Sequence, residues 1–350
     1  MSAAARTAVP PAVIDREIDR EIDRLRRAGP FADGLPLARA VTAEVLRRGR
    51  HHLGRDLLTQ LDALSRGAHD RFFGAHLDAV LARRRDRFRG SAYLALPLLE
   101  LIRDDHGLDH ARMAALLMAD VVRHERRPTT RCEARTRELR IAHAARFVAD
   151  VEPALGLAWR PGPWFALSAL PVSAEHDEYT FLRALQAQEM LFAGLTHTVR
   201  DATQALREAD VTAAVAGLDD ARAVLGRATL LLRLVATTRR DAFRAFRRHT
   251  ETSLWPGTHH RFAVACTAPD VEHRAGLPPR LDSFTAAHAD IPHRSPAVHE
   301  LDRAVVRLEG AHQRWRAVHD RLTTAMLGAD RIVAPYGRLF GTPAPVVAAA

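Results

Sequence analysis

Lysine is absent from this chain of 350 residues, so all 51 of its basic residues are arginines. Against 42 acidic residues they leave a net charge of +9 and a pI near 10.9. A basic surface attracts phosphate, but these arginines run along the whole chain and alternate with Asp and Glu. No basic arm or stripe results, so nucleic acid is not expected as a partner; arginine-only usage reads instead as the codon bias of a GC-rich genome. There are two cysteines, Cys132 and Cys266, at no CxxC, zinc or haem-attachment spacing, which argues against a disulfide framework and a structural zinc site. No stretch offers eighteen uninterrupted apolar residues, and the opening MSAAARTAVPPAV lacks a long apolar core. Neither a membrane span nor a signal peptide is expected, and a cytoplasmic location follows by default. Runs of Val, Ile, Thr and Tyr are scarce, whereas Ala, Leu, Arg and Glu fill windows of twenty residues. The expected fold is all-α.

Residues 1–13 are small and Pro-bearing and read as a loose N-terminus. IDREIDREIDRLRR follows, with Ile14, Ile18, Ile22 and Leu25 in a narrow stripe among charges at pairing distance. That edge suits either a partner, including a second copy of the chain, or the helix's own domain. Residues 14–150 then read as a helical N-terminal region of short amphipathic helices punctuated by Gly49, Gly54, Gly67, Gly107 and Pro128. Its histidines form no HxxxH or HExxH arrangement that would place two ligands on one helical face. A loop rich in Pro, Gly and Trp, with Trp159 and Trp164, marks the main boundary.

From His176 the helices lengthen. Phe181, Leu185, Gln188, Phe192, Leu195, Val199, Ala202 and Leu206 form one seam, and Asp210 caps the next helix. RDAFRAFRRH and a loop, TETSLWPGTHHRFAVAC, follow. In the terminal helix, expected over 300–328, Leu301, Val305, Leu308, His312, Trp315, His319, Leu322 and Met326 share one side. The helices beginning at His176, Val211 and Arg240, together with this last one, are expected to make a four-helix core able to enclose a cofactor. Two histidines thus lie on a buried stripe, a pattern that suits a hydrogen-bonded core histidine as well as a metal or haem ligand.

The order of HDEYTF, QAQEML, LTHTVRDATQAL, DAFRAFR and WRAVH over the C-terminal half resembles the tryptophan 2,3-dioxygenase superfamily of histidine-ligated haem oxygenases. The resemblance implies a dioxygenase-like helical haem domain over residues 176–350 and non-covalent haem b. Iron would be held by His319 with Trp315 beside it, and the substrate carboxylate by Arg261. Phe181 and Leu185, with Trp255, would line an apolar distal pocket; His259 or His260, next to Arg261, offers an alternative acid or base that the resemblance does not demand. The implied activity is oxygen insertion from dioxygen or peroxide into an aromatic amino acid or indole-like substrate, in a homo-oligomer. A tyrosine-type hydroxylase and a non-catalytic helical scaffold are the alternatives. Three departures bear on the chemistry. Leu185 replaces the distal histidine and can move no proton; ADRIVAPYGRLFGTP replaces the glycine-rich closing loop; and Thr323 replaces the cysteine that attaches haem covalently in one branch.

Overall fold

A computed structural model describes residues 11–29, 33–67, 70–81, 93–127, 132–153, 160–250, 257–267, 283–291, 296–327 and 339–340, by backbone alone at 11–14, 257–260 and 264. The described residues form fourteen α-helices, one 3₁₀ turn (Arg50–His52) and no strand. None of these helices is long and apolar enough to cross a membrane.

The chain forms two compact units, each drawn from three segments. Unit 1 comprises residues 1–108, 159–182 and 241–255; unit 2 comprises 109–158, 183–240 and 256–350. No single cut in the sequence separates them.

Unit 1 contains α1 (Pro11–Ala28), α2 (Leu35–Arg48), α3 (Arg55–Leu64), α4 (Arg71–Val80), α5 (Leu96–Asp105) and the one-turn α8 (Trp164–Leu167). The stripe of α1 is used internally: Ile18, Ile22 and Leu25 are buried, and α1 packs on α2. The apolar edge is therefore spent inside its own unit.

Gly49 ends α2 at φ 89° and ψ 144°, backbone that side chains rarely adopt, and its N–H caps Val45 O. A Cβ at this position would overlap the backbone of Val172 and Ser173. Gly49→Ala is thus expected to destabilise unit 1 by about 2–4 kcal/mol, from dihedral strain plus overpacking. Urea denaturation checks this; an unchanged midpoint would show that the approach is not tight.

Unit 2 contains α6 (His110–Glu125), α7 (Ala134–Val151), α10 (Val211–Val235), α12 (Gly257–Cys266), α13 (Phe284–Ala289) and α14 (Pro296–Leu327). Helix α9 (His176–Arg207) belongs to unit 1 as far as Leu182 and to unit 2 from Arg183. The three long helices α9, α10 and α14 pack together, and α7 lies against α10 and α6. Asp210 caps α10 as expected, its carboxylate accepting from Ala213 N at 2.9 Å.

The expected fourth helix of this core, α11 (Arg240–Arg247), falls almost wholly in unit 1. The reason is local: Phe243 and Phe246 meet Phe181 at 5.6 and 5.1 Å between ring centroids. The stretch expected as a loop before Cys266 is helical from Gly257.

Two buried ion pairs stiffen unit 2. Arg183, fully buried, reaches Asp120 at 2.9 Å and Gln186 at 2.9 Å. Arg140, also buried, pairs with Glu125 at 3.2 Å and donates to Thr237 O and Oγ1. Such pairs fix geometry more than they add stability, because desolvation offsets most of their attraction.

Candidate functional site

The relative directions of the long helices follow from a few contacts. Gly217 of α10 abuts Thr198 and Ala202 of α9, and the connection between these helices is only three residues long, so they run antiparallel. Arg307 of α14 pairs with Asp219 of α10 at 3.1 Å, while Trp315 of α14 meets Phe192 of α9 at 5.1 Å, edge to face. With a common rise per residue, both contacts hold only if α14 runs parallel to α10 and antiparallel to α9. One turn before Phe192 therefore faces one turn after Trp315, which sets Gln188 level with His319 and Leu185 level with Leu322.

At the Phe192–Trp315 level the seam is closed. Phe262 of α12 stands 6.1 Å from Phe192 and 6.3 Å from His312, and His312 lies 6.1 Å from Trp315. All four rings are buried. One turn on, the seam opens: Leu185, Leu322 and His319 are only half-buried, although Met326 beyond them is buried again. The His319 side chain retains 33% exposure.

His319 stacks on Trp315 at 5.3 Å and 21°, and its Nδ1 lies 3.4 Å from Asp320 Oδ1. Burial lowers its pKa, with Asp320 opposing, so the neutral ring is favoured. A carboxylate at Nδ1 selects the tautomer with hydrogen there and the lone pair on Nε2. His312 is buried, and burial, aided by the Arg316 charge, takes its pKa down to about 3. Across the seam, the buried Gln188 Oε1 has no hydrogen-bond partner among the described residues, although buried amide oxygens nearly always have one.

The other sequence-predicted residues are distributed as follows. Arg261 is exposed on α12, one position before the buried Phe262. His260 lies on the same helix. Phe181 is a core ring of unit 1 within the Phe243–Phe246 cluster, whereas Leu185 belongs to unit 2. Trp159 and Trp255 lie outside the described residues. Sequence reasoning named Gln188 only as a seam position; its signal was an amide in an otherwise apolar stripe.

Unit 1 carries a second polar centre, built on the glutamate of HDEYTF. Glu178 is fully buried in the first turn of α9. Its Oε1 accepts from Val172 N at 2.7 Å and the Tyr93 hydroxyl at 3.2 Å; its Oε2 accepts from Ser173 N at 2.9 Å and Ser173 Oγ at 2.5 Å. Burial raises the Glu178 pKa against these donors and raises that of Tyr93 further. This carboxylate is saturated by the loop it anchors.

Comparison of the chain with protein-family models, with curated proteins and with solved structures finds no match.

Proposed function

We propose that unit 2 is a haem-dependent oxygenase domain acting on an aromatic amino acid or indole-like substrate, with the cofactor entering between α9 and α14 at the level of His319. The observation that carries this reading is the break in seam burial beside the buried Gln188, where a favoured-neutral imidazole and an amide oxygen unpartnered among the described residues stand on facing helices. The donor set suits haem b, since one neutral histidine with a carboxylate behind Nδ1 is a common arrangement for an iron ligand.

In this reading His319 Nε2 holds the iron, Trp315 fixes the plane of the imidazole, and Asp320 orients its tautomer. Thr323 carries no thiol, so attachment is non-covalent. Bound iron supplies activation of dioxygen or peroxide. Leu185 excludes water on the facing side and moves no proton, which leaves the Gln188 amide to hydrogen-bond the substrate. Arg261, beside the Phe262 end of the aromatic column, is the cation proposed for a substrate carboxylate. Ring cleavage and tyrosine-type hydroxylation both fit these roles, and product analysis separates them.

The test is a visible spectrum of the purified chain titrated with haem. A sharp Soret band that shifts on reduction and with carbon monoxide is expected. His319→Ala is expected to weaken haem binding more than about 100-fold, the upper range for loss of a mere supporting group, and free imidazole is expected to restore the band. A parent with no specific band, or a variant that binds equally well, would reject the proposal in favour of a helical scaffold without haem.

A further inference from the structure

The last described residues of the chain, Leu339 and Phe340, dock within unit 2. Leu339 comes twelve residues after the end of α14 at Leu327, yet it is held at Glu309. That is eighteen positions back, about 27 Å along the helix. Leu339 N–H and Phe340 N–H both donate to Glu309 Oε2, at 2.9 and 3.3 Å. Leu339 is fully buried, and the Phe340 ring meets Phe284 of α13 edge to face, with centroids 5.7 Å apart. Consecutive backbone N–H groups form a cradle for an anion, and bonds to a carboxylate are stronger than neutral ones. Glu309 is prepared for this role, because Gln313, one turn along α14, already engages its other oxygen.

The two short helices beneath this segment are linked to each other and to α14. Thr285 Oγ1 of α13 donates to the carbonyl of Cys266, the last residue of α12, and His288 of α13 bonds Asp302 of α14 at 2.9 Å. The Cys266 thiol is buried, and its pKa is raised by that burial and further by Glu309. The sulfur therefore lies in the field of the carboxylate that holds Leu339. Helix α12 also supplies Phe262, the ring 6.1 Å from Phe192 in the aromatic column.

We propose that Leu339 and Phe340 form a strap that holds α12 and α13 against α14, and that its release uncovers the end of α12 at Cys266 while α9, α10 and α14 stay packed. This inference does not use the haem reading. A separable step follows from how unevenly unit 2 is held. The long helices bury continuous seams, whereas α12 has ten residues and α13 six, lengths that do not sustain a helix in isolation. Phe262 and Phe284 are their largest fully buried side chains, and the strap closes over the second of them. Elements with few buried contacts open at a lower free energy than the whole domain.

The experiment is maleimide labelling of the full chain carrying Cys132→Ser, which leaves Cys266 as its one thiol. Rates are followed by mass spectrometry at several urea concentrations below the unfolding transition. Leu339→Asp is expected to label more than about tenfold faster than this parent, since a buried apolar side chain and its contacts are lost. Its rate is expected to be nearly independent of urea, because release of a strap exposes little surface, with circular dichroism unchanged. Glu309→Gln, which keeps an acceptor oxygen but not the charge, is the milder second variant and is expected to fall between the two. Leu218→Ala, at a buried position of α10 away from the strap, is the control; it is expected to speed labelling only through global unfolding, with a steep dependence on urea. Labelling of Leu339→Asp and Glu309→Gln at the parent's rate, or faster labelling with the steep slope of Leu218→Ala, would overturn the strap.

Discussion

Glu178→Ala is expected to be the most damaging single substitution in unit 1, at about 3–6 kcal/mol. The figure follows from what the carboxylate leaves behind. Val172 N–H and Ser173 N–H lose their acceptors inside the protein, at about 1–3 kcal/mol each, and the Tyr93 hydroxyl loses its bond as well. Arg50, half-buried and with its pKa lowered by burial, has the Glu178 carboxylate as an opposing charge, so the loss also removes electrostatic support from that cation. Glu178→Gln discriminates the cause. The amide keeps one acceptor oxygen but turns an NH₂ toward existing donors, so it should fall between parent and alanine. Chemical denaturation of the three proteins checks the order; a glutamine variant no better than alanine would show that charge, not acceptor count, dominates.

Acidification from pH 7 to pH 5 is expected to remove about 4 kcal/mol in all, about 2 from each unit, because each holds a deeply buried histidine. His76 in unit 1 and His312 in unit 2 both have pKa values lowered to about 3 by burial. The unfolded chain takes up these protons near pH 6.5. A folded pKa depressed below the unfolded one gives stability that is complete above pH 6.5 and is lost as pH falls toward 3. His319, also lowered, acts in the same sense. Glu178, whose pKa is raised, acts oppositely, whereas Asp219 and Glu300, lowered by their arginine partners, contribute losses only at lower pH. Urea midpoints at pH 7, 6 and 5 measure the slope, and His312→Gln should reduce the slope of unit 2 by one proton. Midpoints flat across this range would mean that the histidines are hydrated in the folded state.

Much of the helical plan was legible because periodicity is a local property. Seven of the eight seam residues of α9, Phe181 to Leu206, are buried, and the eighth, Leu185, is half-buried. Asp210 caps where a side-chain oxygen before an apolar run should. The stripe of α14 likewise placed His312 and Trp315 inside. The loop assigned before Cys266 went astray because Gly257 and the paired histidines look like turn residues, while Phe262 and Cys266, both buried, are what hold that segment as a helix.

By itself the sequence determined that this is a helical protein, where most helices begin and end, and which faces are apolar, because backbone propensity and a 3.6-residue repeat act within a few neighbours. It also set His312 and His319 together on one apolar stripe. Only the tertiary structure decided which faces meet. It sent α11 to unit 1, turned the HDE glutamate into a clamp on its own loop, opened the seam at Leu185, His319 and Leu322 beside a buried Gln188, and drew His249 to His51 and His52. Those outcomes depend on contacts between residues far apart in the chain, where side-chain volume and desolvation choose among partners that sequence spacing leaves equivalent.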